Sequence, residues 1–237
     1  MRNYIILNGV KSTVFCGLLI QTLPNITMPQ IRTKVETIDG RDGDIITRLG
    51  YAAYDKVVTI GLLKDVDVNK IIAYFTNNNS GTVTFSNEPD LYYNYQINEA
   101  INFERLIRFK QAAVTFHVQP FKYMSSEGYL EYSVKSNSEI TILNSGNVYS
   151  KPTITVTGSG NCYVYLNNSQ IFKLALGTNE QIIIDTAAME AYNSNRILKN
   201  RIVTGNYDNF YLPIGASTIK LTGSVTKFSI SKYSRWI

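Results

Sequence analysis

The sequence predicts a mainly β chain in two parts: residues 1–132 form a β-sandwich with one helix, and residues 133–237 form an antiparallel β-sandwich. Three observations carry this. The 17 tyrosines and 10 phenylalanines, with recurrent Thr, Ile and Val, favour strands. Only one stretch has clear helical periodicity. From about Ser133 the chain becomes a run of short alternating segments separated by Gly and Asn turns. At 237 residues, two domains can each bury a core, and 44% hydrophobic with 17% charged content is that of a folded chain.

The first segment, "NYIILNGVKS", reads as two strands joined by Asn8-Gly9, a pair that accepts positive φ at both centres of a tight hairpin turn. After "CGLLIQTLP" comes the β-leaning "QIRTKVETI", then the loop "IDGRDGDII". In "KVVTIGLL", Val58, Ile60 and Leu62 fall on one face at period two. The helix lies in "KDVDVNKIIAYFTNNN". Asp65 is placed to cap it, Asp67 suits its positive end, and Val68, Ile71, Ile72 and Phe75 share a face. The asparagine run and Ser80-Gly81 end it. Strands are expected to resume at "GTVTFSNEP" and to continue through "LIRFKQAAVTFHVQPF", so that Arg105, Arg108 and Lys110 are a strand's solvated charges.

In the second part, Gly158–Asn161 and Asn167-Asn168-Ser169 are expected to be turns, with two further strands about Gly223-Ser224. "TAAMEAY" has the composition of one helical turn.

Charge and cysteine content restrict the function classes. The net charge of +5 divides into +1 over residues 1–135 and +4 over 136–237, with no basic run dense enough for a nucleic-acid footprint. Cys16 and Cys162 lack a CxxC or a nearby histidine, which argues against a disulfide framework or a zinc site. Near the start, Asn8, Gly9 and Lys11 interrupt the apolar residues, and "VFCGLLI" is too short to span a bilayer. The reading is a soluble chain made in a reducing compartment, without metal or cofactor.

The loop at 38–46 fits neither an EF-hand, since Arg41 or Ile46 occupies a ligand position in either register, nor a phosphate loop, since Ile45-Ile46 follow where Lys-Ser/Thr is required. Asp39-Gly40 and Asp42-Gly43 are turn pairs bracketing an arginine. The residues leave two readings, a tight loop or an exposed docking arm. His117 sits inside an expected strand with no nucleophile motif nearby. An enzyme reading would rest on Asp185 and Asp208, both at segment ends, and the scarcity of acids in the second half argues against it. Tyr163, Tyr165 and Phe172 alternate along strands as core residues do, although tyrosines on a sandwich face also stack sugars. Tyr163, Tyr165 and Tyr211 therefore keep a carbohydrate-binding module as the alternative function.

Several segments taken in order carry a resemblance. "ILNGVKSTVFCGLLIQTLP", "DGRDGDI", "VTFSNEPDLYYNYQI" and "VTFHVQPFKY" in the first half, then "LNSGNVYSKPTITVTGSGNCYVYLNN", "IIIDTAAMEAY" and "LPIGASTIKLTGSVTKFSISKYSRW", resemble the distal tail protein family of long non-contractile-tailed phages of Gram-positive bacteria. The resemblance implies an extended arm on the first domain and a galectin-like or carbohydrate-module-like second domain, with the last residues packing back on the first. It implies a homo-hexameric ring in the virion tail tip, made in the host cytoplasm. The ring would join the tail tube protein to tail-tip proteins, with a receptor-binding protein a further partner, and would let DNA pass without specific binding. Gly40, Arg41, Asp42 and Gly43 match the family's glycine-flanked Arg-Asp loop and become candidate assembly residues. Relatives that grip host polysaccharide carry inserted sugar-binding modules, for which 237 residues leave no room.

Overall fold

A computed structural model describes residues 2–63, 67–134 and 137–237. The chain divides into two compact units, Met1–Ser125 with Ile237, and Ser126–Trp236.

The first unit begins with β1 (Ile5–Leu7) and β2 (Val10–Lys11), joined at Asn8 and Gly9, whose φ values of 48° and 84° are those the tight turn requires. Next come β3 (Leu18–Thr22), β4 (Ile31–Thr37), β5 (Asp44–Tyr51) and β6 (Tyr54–Leu62). Helix α1 (Val68–Asn77) is followed by β7 (Ser80–Phe85), β8 (Leu91–Gln96), helix α2 (Phe103–Phe109) and β9 (Gln111–Met124). One antiparallel sheet runs β2-β1-β7-β8-β9-β6-β3, while β4 and β5 pair only with each other. The period-two residues Val58, Ile60 and Leu62 of β6, and Ala112, Val114, Phe116 and Val118 of β9, are all buried. Ile71, Tyr74 and Phe75 of α1 close over this face.

The helix expected in "KDVDVNKIIAYFTNNN" forms over Val68–Asn77, and Asp67 is its cap, accepting a 3.2 Å hydrogen bond from the Asn69 amide. Asp65, expected to cap, lies outside the described residues. The chain from Phe103 to Phe109 corrects the reading of "LIRFK" as a strand. Asn102 caps it by accepting from the Arg105 amide at 2.8 Å, Glu104 and Arg108 pair one turn apart, and Lys110 ends it in the left-handed region at φ 58°. Phe103 and Leu106, three apart, are its contacts with the core, and the remaining side chains face outward.

The second unit has β10 (Leu130–Ser133), β11 (Ser138–Asn144), β12 (Thr153–Leu166), β13 (Ser169–Asp185), β14 (Glu190–Tyr192), β15 (Val203–Gly205) and β16 (Gly215–Ser231) in one antiparallel sheet. Three of these strands are long, at 14, 17 and 17 residues, and they bend. Gly158–Asn161 is not a hairpin turn, and Gly223-Ser224 does not separate two strands. Both lie inside continuous strands, where the β12 register shifts against β13 and β16. Glycine is needed at this corner. A Cβ on Gly223, at φ 89°, would meet the Asn161 carbonyl oxygen at 2.3 Å, and one on Gly158 would meet that of Ser224 at 2.5 Å. Bending lets one strand serve both layers, so that Ile154, Val156, Val164, Phe172, Ile184, Leu221 and Phe228 join one core.

Asn167-Asn168 is the tight hairpin turn, with φ values of 47° and 68° between paired Leu166 and Ser169. "TAAMEAY" is not helical: residues 186–189 form a four-residue turn closed by the pair Asp185 and Glu190. No helix among the described residues is long and apolar enough to cross a membrane.

Candidate assembly surface

The loop that the sequence left open is the tip of a free-standing hairpin. Strands β4 and β5 pair from Ile31↔Tyr51 to Thr37↔Asp44, with one bulge between Arg32 and Thr33. At the tip Gly40 and Gly43 have φ values of 79° and 78°, and a Cβ on either would meet nothing within 4 Å. The Arg41 amide donates to the Ile38 carbonyl at 3.2 Å, and the Thr37 hydroxyl donates to Asp44 at 3.0 Å. The side chains of Asp39, Arg41 and Asp42 have no hydrogen-bond or ion-pair partner among the described residues. The glycines are there for the backbone turn and the charged groups point into solvent.

Every residue of β4 is exposed, and β5 is little better covered. Val35 and Ile46 are cross-strand partners on one face, 54% and 67% exposed, with Ile38 and Leu49 exposed nearby. On the other face Lys34 pairs with Glu36 in the same strand. A two-stranded hairpin with nothing packed on either face has little stability of its own in water. Its aliphatic pair is apolar surface left in water.

The base of this arm is firmly held by contrast. Arg48 lies 4.7 Å from the centre of the Tyr51 ring, and Tyr51 meets Phe121 edge-on with centroids 5.8 Å apart. The approach to β4 is tied by Asn87 donating to the Pro24 carbonyl at 3.0 Å and by Lys56 donating to the Asn25 carbonyl at 2.9 Å. Lys56 belongs to a buried polar cluster. Glu88 accepts from Lys122 at 2.8 Å and from the Tyr93 hydroxyl at 2.7 Å, and the Lys56 ammonium lies 4.9 Å from the Tyr93 ring centre. Burial pushes the Lys56 ammonium below the ordinary lysine range; Glu88 opposes that shift and Lys122 adds to it. Burial also pushes the Tyr93 phenol up, and its hydrogen bond to Glu88 adds to that. Sequence reasoning missed this cluster because Lys56, Glu88, Tyr93 and Lys122 are brought together only by the pairing of separate strands.

A second exposed surface lies on α2. Arg105, Ile107, Arg108, Phe109 and Lys110 face outward, and Phe109 is 73% exposed. Hollows of about 420 and 450 Å³ flank the helix, and Arg105 lines both.

The other candidates are dispersed. Tyr163 and Tyr165 lie on the face of β12 opposite the buried Cys162, Val164 and Leu166, half-buried, and Tyr165 donates to Gln170 at 3.3 Å. Of that aromatic set only Phe172 is core. Tyr211 lines a separate hollow of about 290 Å³ with Asn167, Ser169 and Asn209. His117 bonds to Asp55 at 2.7 Å across the β6–β9 ladder. Asp185 accepts from the Ala187 and Ala188 amides at 2.9 and 3.0 Å, and Asp208 pairs with Lys151 at 3.0 Å. Both carboxylates therefore have structural partners. Cys16 is exposed and Cys162 buried, and both are free thiols. No group of three or more His, Cys, Asp or Glu among the described residues is placed to hold a metal ion.

Residues 16–118, which include the arm and α2, match the phage tail protein RIFT-related domain. The whole chain superposes on the Dit protein (gp 19.1) of phage SPP1, described as a paradigm of the hub adsorption apparatus in phages infecting Gram-positive bacteria. The TM-score is 0.69 at 17% identity, over 97% of this chain and 98% of that one. Residues 16–118 thus carry a phage tail protein domain, on a chain that shares the fold of a distal tail protein. Chains of two phage P2 baseplate structures are also similar in fold. The activated conformation with Ca gives a TM-score of 0.53 at 8% identity over 94% and 99% of the two chains. The form with Sr gives 0.51 at 10% identity over 96% and 97%. No curated protein sequence matches. The family resemblance read from the ordered sequence segments is borne out, and the mainly β fold expected with it is the fold observed.

Proposed function

We propose that the chain is a ring-forming hub of a phage tail tip. Six copies associate through their first domains around an axial channel, with the tail tube protein on one side and tail-tip proteins, including a receptor-binding protein, on the other. The observation that carries this reading is the arm. A hairpin with exposed Val35 and Ile46 and a charged tip, fixed at its base and bare along its length, is suited to being covered by a neighbour. Repeating one head-to-tail contact about an axis closes a ring when the rotation divides a full turn. Gly40, Arg41, Asp42 and Gly43 are the assembly residues of this contact. A tip already set by two left-handed glycines loses little freedom on docking.

The role is mechanical rather than catalytic, and the partners that Asp185 and Asp208 already have support this. DNA passes through the channel without being held, so the channel lining is not strongly basic, and the excess positive charge lies in the second domain. The protein is made in the host cytoplasm and ends in the virion tail. Light scattering after size exclusion, with negative-stain images of the same peak, tests the reading. A six-fold ring with an open centre is the expected result; a particle of another symmetry, closed at its centre, overturns it.

One observation favours a second reading. Tyr211 is 43% exposed in a hollow with Asn167, Ser169 and Asn209, a combination of aromatic face and amide groups suited to a sugar. A saturable glycan titration lost in Tyr211→Ala supports carbohydrate binding, and its absence removes that reading.

A further inference from the structure

The arm tip and the exposed face of α2 have opposite characters. The tip carries Asp39, Asp42 and Asp44 with a single guanidinium, Arg41, beside exposed Ile38 and Ile46. The helix face carries Arg105, Arg108 and Lys110 with a single carboxylate, Glu104, beside exposed Ile107 and Phe109. Arg108 already holds Glu104 at 2.8 Å. The side chains of Arg105 and Lys110 have no hydrogen-bond or ion-pair partner among the described residues. Both surfaces join aliphatic or aromatic groups to unbalanced charge, and the imbalance is of opposite sign. The match extends to the minority charges, because Glu99 is the acidic residue lining the hollow beside Arg105 and is available to the arm's Arg41.

No hydrogen bond, ion pair or ring contact joins tip and helix within one copy among the described residues. The seven residues of β4 span about 23 Å at the usual rise of a strand, so the tip stands well away from the base of the arm. We infer that the arm tip of one copy docks on α2 of the next, with Asp39 and Asp42 against Arg105 and Lys110, and Ile38 and Ile46 against Ile107 and Phe109. The inference rests on the ring reading and names its receiving surface. The contact is head-to-tail, since tip and helix are different patches of the same chain. Its charged part weakens as salt rises, and the apolar part gives it persistence.

The test uses the full chain with Cys16→Ser, which removes the exposed native thiol. A copy bearing Asp42→Cys is mixed with a copy bearing Arg105→Cys under mild oxidation, and light scattering is recorded on the unmutated chain in parallel. Disulfide geometry demands close approach of the two backbones, so cross-linking reports the docking directly. Expected is a disulfide dimer from this mixture and none when Arg105→Cys is replaced by Thr141→Cys, an exposed position in the second unit. A ring with no cross-link overturns the α2 docking and leaves the hub reading standing. A cross-link from a chain that forms no ring supports the docking and removes the hub reading. Neither ring nor cross-link removes both. Charge reversal provides the second arm. Arg105→Glu with Lys110→Glu is expected to abolish the ring, and adding Asp39→Lys with Asp42→Lys to the same chain is expected to restore it. A ring untouched by the helix reversal overturns the proposal.

Discussion

Two hairpins in this molecule have similar local chemistry and opposite fates. The β12–β13 hairpin turns on Asn167-Asn168, and each strand buries alternate residues against the second core. The β4–β5 hairpin turns on Asp-Gly pairs, also contains a bulge, and leaves nearly every residue in solvent. The alternation in "CYVYL" ends in packing, whereas that in "IRTKVET" ends in an uncovered face. Strand pattern thus specifies a ladder but not what lies on it. In the second unit the missing layer is the same sheet bent back on itself. On the arm no such layer is present among the described residues.

Substitutions sharpen this contrast, beginning with the covered region. Phe172 packs against Phe210 and Tyr207 with ring centroids 5.5 and 5.2 Å away, and Phe172→Ala is expected to cost about 3–5 kcal/mol in urea unfolding followed by circular dichroism. In the first unit, Glu88→Gln leaves the buried Lys122 without its charged partner and is expected to cost about 3 kcal/mol. Adding Lys122→Met should recover most of it, because the pair stabilises less than breaking it destabilises.

The same unit has an alkaline limit. Burial raises the phenol pKa of Tyr74, Tyr93 and Tyr95 above the ordinary value of 10.0. A raised folded-state pKa contributes stability that is fully present below about pH 10 and is lost as pH rises through the folded-state value. Lys56, whose folded-state pKa is lowered from 10.5, acts in the other direction, its contribution rising with pH up to that value. In an alkaline titration, phenolate absorbance of these three tyrosines is expected only together with loss of secondary structure; ionisation in the folded chain contradicts their burial.

The smallest effect on the isolated chain belongs to the arm, where it is also the most informative. Val35→Thr with Ile46→Thr is expected to change unfolding free energy by less than about 0.5 kcal/mol, as exposed positions do, while lowering the fraction assembled in light scattering. A large loss of chain stability would show that the arm is already covered within its own subunit.

Much of the fold was legible where local chemistry leaves one solution. Asn8-Gly9 and Asn167-Asn168 could only be tight turns, and the spacing of Val68, Ile71 and Phe75 fits only a helix. Helix α2 was missed because Phe103, Leu106, Ile107 and Phe109 in seven residues suit a strand as well. Its signal was the cap Asn102 with Glu104 and Arg108 one turn apart. The corner at Gly158–Asn161 was misread because glycine serves a hairpin turn and a bent strand equally, and only the register of β16 beside it distinguishes them. At the candidate site, Gly40 and Gly43 announced the turn and Arg41 its charge. The bare length of the arm and the exposed face of α2 depend on what does not pack against them, which no local pattern encodes.

The bent strand β16 also sets the order in which the molecule is completed. It pairs with β10, β11 and β12, yet it comes after all of them in the chain. Leu143 waits for Ala216 and Leu130 for Ile230, so the second sheet forms by long-range closure, the slow kind. The seven strands that the first unit itself contributes to its main sheet are all made once β9 ends at Met124. During synthesis, at about 5–20 residues per second, the first unit and its uncovered arm exist for seconds before the second can close. Over that interval the exposed arm stands on a first unit whose own strands are already made, while the second unit still waits for β16.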